Sequence, residues 1–244
     1  MAKKILTIAG ITAYVAAVLA GFYLLYSFRT GASIQSPWQT ISPLYIYVFF
    51  GATFFLGLLI FSKLNVKLLL LFLVVQSLLL HSYLPLTHDL PYGADQWRHM
   101  ANEERLLAGK PFLGAKLSDD VGNTKSEIRS TKSETNSKII IPKLKIENWK
   151  LEINKLSYKG FWWTAVIISR ISSLSLLVAN RWLVPIWWSL TVPILLYLIG
   201  RALDWREKSS LFFAWLSALP FAWQAAGAMT LPVGFGFPLF LVGV

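Results

Sequence analysis

Asp95, Arg98, His99, Asn102 and Glu103 fall close together and combine two carboxylates, a guanidinium, an imidazole and an amide. On a helix they stand at i, i+3, i+4, i+7 and i+8, which is one stripe. A carboxylate or an imidazole can take a proton from a hydroxyl, and a guanidinium can neutralise a phosphate leaving group. The chemistry open to this set is attack by a hydroxyl with loss of a phosphate. His99 and Glu103, one turn apart, also have the spacing to hold a divalent ion, and the residues alone leave a metal undecided. Asp89, just upstream, is a second candidate carboxylate. The same spacing fits an amphipathic helix whose polar face simply meets water, so pattern alone leaves both readings open.

The elements around the stripe determine where it would work. It lies in "LPLTHDLPYGADQWRHMANEERLLAGKP", residues 84–111, directly after a run that is almost pure leucine. Gly109 followed by Pro111 is a helix stop, so the spacing predicts a helix over about 95–109. The chain is 55% hydrophobic and 14% charged, with mean hydropathy +0.55. Several stretches reach the roughly 18 apolar residues needed to cross a hydrocarbon core. The expectation is an all-α, polytopic membrane bundle. Absence of cysteine excludes disulfides, thiolate metal sites and thiol nucleophiles. The net charge of +11 is spread among acids and the ends of apolar runs rather than gathered in a block, which argues against a nucleic-acid partner.

Spans are expected over Ile5–Ser27, Leu44–Phe61 and Leu68–Leu84. Two of them fall in an N-terminal unit, 1–67, and the third occupies 68–85. Lys3 and Lys4 could introduce a signal peptide, but the run is long for one and lacks a small-residue cleavage site, which favours a retained helix. Lys3, Lys4, Lys63 and Lys67 on one side place the N-terminus in the cytoplasm, with residues 86–182 as an extracytoplasmic loop at the plasma membrane. Residues 86–159 hold ten of the twelve acids and thirteen basic residues, a balance permitted for a loop longer than about 60 residues. Within the loop, "SDDVGNTKSEIRSTKSETNSK" reads as mobile, with Asp119 and Asp120 a solvated pair. "IPKLKIENWKLEI" alternates apolar and polar residues on either side of Glu147-Asn148, which predicts a small β-hairpin.

Residues 161–179 carry Arg170 near their middle, an expensive group in hydrocarbon. If this stretch spanned, Arg201, Arg206 and Lys208 would fall outside. An interfacial helix with Trp162 and Trp163 avoids that. The C-terminal unit, 183–244, then runs inward over Leu183–Gly200 and outward over Ser210–Met229. "LPVGFGFPLFLVGV" ends before a full crossing, which predicts a truncated bundle completed by a second chain.

The order of these features resembles the GT-C superfamily of integral-membrane glycosyltransferases, in its protein mannosyltransferase and aminoarabinose transferase branch. The similarity rests on "YGADQWRHMANEERLLAGKP" and on "SRISSLSLLVANRWLVPIWWSLTVPILLYLIGRALDWREKSSLFFAWLSALP", and extends over about 68–230. It implies transfer of a sugar from a polyprenyl-phosphate donor to an acceptor on the extracytoplasmic face. It makes Asp95 the catalytic carboxylate and Asp89 the second choice. Arg98, His99 and Glu103 are supporting candidates by proximity, and Arg170 and Arg181 are candidates for the lipid phosphate. Two helices ahead of the matched region and the early end depart from the family's pattern. A non-catalytic membrane scaffold is the alternative function. A transporter is disfavoured, because paired charges within the spans are missing.

Overall fold

The computed structural model describes residues 2–32, 36–90, 94–110, 144–219, 227–228 and 232–242. Every regular element among them is helical: α1 (Ala2–Ser27), a 3₁₀ turn (Pro37–Thr40), α2 (Pro43–Ile60), α3 (Val66–His81), α4 (Tyr83–Thr87), α5 (Ala94–Leu107), α6 (Leu144–Ser172), α7 (Leu176–Ala202), α8 (Glu207–Leu216) and α9 (Pro232–Val242). Three helices, Lys4–Ser27, Pro43–Ile60 and Leu176–Ala202, are long and apolar enough to cross a membrane, and Val66–His81 is a shorter apolar helix. The stretch that the sequence reads as mobile, with Asp119 and Asp120, lies outside the described residues.

Two expectations are corrected. The hairpin expected around Glu147-Asn148 is helix, because Leu144–Ser172 is continuous. Ile146, Trp149, Ile153 and Leu156 in that stretch fit the 3.6-residue period as well as neighbouring residues fit alternation. The single helix expected over 161–179 is broken at Ser173, whose φ of 58° ends α6, and Ser175 then caps α7 by accepting from the Val178 N–H. The last turns of α6 fold back on the first turns of α7. Phe161, Trp162, Ala165 and Val166 form one buried cluster with Leu176, Leu183 and Val184.

The bundle is organised by α3. Gly10 of α1 lies against Leu59 at the far end of α2, and Gly21 of α1 lies against Leu79 of α3, so α1 is antiparallel to α2 and parallel to α3. In an apolar surround, helices gain little by burying apolar surface against each other, so buried polar groups and close packing specify their register. Tyr14 donates to the Phe72 carbonyl at 2.7 Å and Tyr45 to the Leu79 carbonyl at 2.9 Å. Gln76, fully buried, donates through Nε2 to Thr53 Oγ1 at 2.8 Å. The Thr53 carbonyl in turn accepts from Trp215 Nε1 at 2.9 Å. One position on α2 thus ties together α3 and α8.

The connections sort into two ends. At one, Lys208 Nζ donates to the Ser62 carbonyl at 2.9 Å, which joins the "SKLNVK" turn to the "LDWREK" turn. Gly200 lies where α7 and α8 cross, and a Cβ there would meet the Ser210 backbone at 3.1 Å. At the opposite end the strand-like bridge between Thr30 and His88 joins the exits of α1 and α4. The α7 helix has 27 residues and is therefore about 40 Å long, against a hydrocarbon thickness of about 30 Å. Its surplus N-terminal turns carry Asn180 and Arg181 into the layer formed by α5 and α6.

Replacing Gln76 with Ala removes the α3–α2 hydrogen bond from the bundle interior. We expect a loss of about 1–2 kcal/mol, read from the unfolding midpoint in mild detergent. A midpoint equal to that of wild type would show that this bond does not hold the register.

Candidate functional site

Helix α5 is amphipathic, but its buried face is polar as well as apolar. Gln96, His99, Met100 and Glu103 are buried while Trp97, Arg98 and Glu104 are exposed. Arg98 stands about 140° round the helix from Glu103. The stripe read from the sequence is therefore divided, with Glu103 and His99 turned inward and Arg98 outward. Asp95 lies in the first turn of the helix, and its side chain is not among the described groups. The helix stops through Gly109, in the left-handed region at φ 67°, with the Lys110 N–H returning to the Arg105 carbonyl at 2.7 Å.

The centre of the site is a row of side chains between α5 and α7. Gln96 Nε2 donates to Asn180 Oδ1 at 3.1 Å, and Asn180 Nδ2 donates to Glu103 Oε2 at 2.6 Å. Glu103 is fully buried, and its Oε1 has no hydrogen-bond partner among the described residues. Burial pushes its carboxyl up from 4.5 to about 7; the Asn180 bond works against that rise and the charge of Glu104 adds to it. The neutral acid suits this arrangement, with Oε2 accepting from Asn180 and Oε1 carrying a proton free to be donated. His99 lies on the same face. Trp162 Nε1 donates to its Nδ1 at 2.9 Å. An indole N–H can only donate, so Nδ1 is the unprotonated nitrogen and the ring proton is on Nε2.

A second cluster lies beside this row. Asp89 pairs with Arg29, from the exit of α1, and its other neighbour is Arg181 Nη1 at 3.8 Å. Arg181 also donates to the Pro85 carbonyl and, at 3.2 Å, to the Asp89 carbonyl. The Thr30 N–H donates to the Thr87 carbonyl at 2.8 Å and the Asp89 N–H to the Thr30 carbonyl at 3.1 Å, fixing the backbone under the cluster. Burial lowers the His88 imidazole below its ordinary value, which keeps it neutral next to Arg181. A slot of about 10 Å³ between Pro85, His88, Gln96 and Arg181 connects the two clusters and has room for one water molecule.

The sequence-derived candidates thus separate. Glu103 and His99 share a buried face; Asp89 and Arg181 form a neighbouring ion cluster. Arg170 lies apart and donates through Nη2 to the Leu107 carbonyl at 2.9 Å, which fastens α6 to the end of α5. Arg98 is exposed, and its guanidinium has no partner among the described residues. No group of three or more acidic, histidine or cysteine side chains with metal-site geometry occurs among the described residues. With Glu103 Oε2 accepting from Asn180, His99 Nδ1 accepting from Trp162 and the ring proton on Nε2, His99 offers a divalent ion no lone pair in this tautomer.

Three participants escaped the sequence reading: Gln96, Asn180 and Arg29. Asn180 had a signal, since "SLSLLVANRWLVPIWW" places an amide inside an apolar run. Arg29 and Asp89 are 60 positions apart, and nothing local links them. Family models, characterised proteins and solved structures offer no match to this chain, so its residues and geometry carry the functional reading.

The Glu103 carboxyl gives a signed pH dependence. Its folded value is raised, so the folded state holds an extra proton between about 4.5 and about 7, and stability falls as pH rises through that window. We expect the thermal midpoint to decline between pH 5 and pH 7.5 by more in wild type than in Glu103→Gln. Parallel declines would place the titration elsewhere.

Proposed function

We propose that this chain is a polytopic membrane glycosyltransferase, or part of one. It would transfer a sugar from a polyprenyl-phosphate donor to an acceptor hydroxyl in the extracytoplasmic headgroup layer. The orientation that follows has the N-terminus in the cytoplasm and α5 and α6 outside the plasma membrane. The observation that carries the reading is Glu103: a fully buried carboxyl, raised to about 7, with one oxygen uncommitted among the described residues. A group that changes protonation near neutral pH is what general acid–base chemistry needs.

In the proposed reaction the acceptor oxygen bonds to the anomeric carbon as the bond from that carbon to the phosphate oxygen breaks. The polyprenyl phosphate leaves with the negative charge, and the hydroxyl proton passes to a carboxylate. Asp95 is the base to which the resemblance points. Asp89 is a weaker candidate, because its carboxylate is already engaged by Arg29. Glu103 and His99 are the supporting proton-holding groups on the same helix as Asp95. Arg98, unpartnered among the described residues, is the guanidinium proposed to meet the donor phosphate, whereas Arg170 and Arg181 are spent on carbonyls.

A specific observation also favours the scaffold reading. Gln96, Asn180, Asp89 and Arg181 bond to one another or to backbone, and the slot between them admits a single water. A network engaged this heavily can serve to dock α5 and α6 onto the bundle without any chemistry.

Binding of a polyprenyl phosphate to the purified chain in nanodiscs separates the two. We expect saturable binding, weakened about tenfold by Arg98→Ala. Asp95→Asn should leave binding intact and abolish sugar transfer, and Glu103→Gln should slow transfer by about 100-fold. No saturable binding by a folded protein would overturn the transferase reading. The scaffold reading would then require that deletion of 119–159 abolish function while substitutions along α5 are tolerated.

A further inference from the structure

The opposite end of the bundle holds a larger cavity that the proposed reaction does not use. It is an open crevice of about 620 Å³ between the end of α2 and the start of α8. Its walls are aromatic: Phe61, 70% exposed, lies 6.1 Å from Phe212 between ring centroids. Phe212 stacks on Trp215 at 5.2 Å, and Trp205 meets Phe213 edge-on at 5.3 Å. Water is a poor occupant for so much apolar surface.

The charge at its mouth is selected. Residues 201–208 contain Arg201, Asp204, Arg206, Glu207 and Lys208, yet Arg206 and Lys208 line the crevice and neither acid does. Lys208 is fixed by its bond to the Ser62 carbonyl, which spends one of its three donors. The Arg206 guanidinium is exposed and has no partner among the described residues. Arg206 is also the N-cap residue of α8 and makes no side-chain cap, so the first turn of α8, whose Lys208 and Ser209 line the crevice, has no N–H met by a cap side chain. Glu207 offsets part of this field from the helix's first turn, outside the crevice lining.

We propose that this crevice binds one anionic phospholipid. Its phosphate sits on Arg206, Lys208 and the start of α8, and an acyl chain runs along Phe61, Phe212 and Leu216. The depth fits: α2 and α7 end here, where hydrocarbon gives way to headgroups, and Trp205 is placed as interfacial tryptophans are. A phosphate alone would leave the aromatic wall bare, and a zwitterionic lipid would bring its own cation against Arg206 and Lys208. An anionic lipid satisfies both halves. The site is independent of the transferase reading, because it lies at the other end of the bundle from α5.

Native mass spectrometry of the full chain, released from micelles doped with palmitoyl-oleoyl phosphatidylglycerol or phosphatidylcholine, tests this. We expect one retained phosphatidylglycerol and no retained phosphatidylcholine. Arg206→Gln, which leaves the Lys208–Ser62 bond in place, should weaken retention about fivefold. Lys67→Gln, a charge change at the same end of the bundle but off the crevice, should have little effect, and circular dichroism checks that both variants fold. Equal losses in the two variants would reduce the effect to general surface charge and overturn the site. Equal retention of both lipids, or displacement by millimolar glycerol 3-phosphate, would overturn an anionic lipid as the occupant.

Discussion

The contact on which the polar end depends is the hydrogen bond from Asn180 to Glu103, 2.6 Å long and fully buried. A carboxyl group cannot be taken out of water without partners or without keeping its proton. Glu103 does some of each: one oxygen is met by an amide, and burial raises its affinity for the proton on the other. That requirement fixes the angle of α5 about its own axis, because only one rotation brings Glu103, His99 and Gln96 to α7 and α6 together. It also fixes how far α7 must rise above the apolar bundle, since Asn180 has to reach the layer in which α5 lies.

The two ends of the molecule solve different problems with the same residue types. At the α5 end, the cations set into the polar layer are matched by carboxylate or carbonyl groups, as Arg29 and Arg181 are by Asp89 and Pro85, and that layer is closed, while Arg98 stays exposed outside it. At the α8 end, Arg206 is left outside such pairs and faces an aromatic crevice. A closed polar layer with one titratable oxygen suits proton handling. An open apolar crevice with a cationic rim suits holding something amphipathic.

Much of the bundle was legible because hydropathy is a local property. The runs containing α1, α2 and α7 could be read directly from composition, and Gly109 announced the end of α5. The misreadings came where two periods fit one sequence or where partners are distant. "IPKLKIENWKLEI" satisfies both alternation and a 3.6-residue repeat, and without neighbours nothing decides between them. The stripe on α5 is polar over a wide arc, so its buried edge was invisible until α6 and α7 covered it. Arg29 and Asp89 meet only because α1 and α4 leave the bundle side by side. Asn180 was the readable clue passed over, an amide where an apolar helix gains nothing from one unless it has a partner.

The central claim is that burial poises the Glu103 carboxyl near neutrality. Carboxyl carbon-13 resonance of glutamate-labelled protein, titrated in nanodiscs and assigned by its loss in Glu103→Gln, measures that value directly. We expect a midpoint close to the value of about 7 that burial imposes. A midpoint near 4.5, the ordinary value, would show that the carboxyl is hydrated and would contradict the buried proton-holding site.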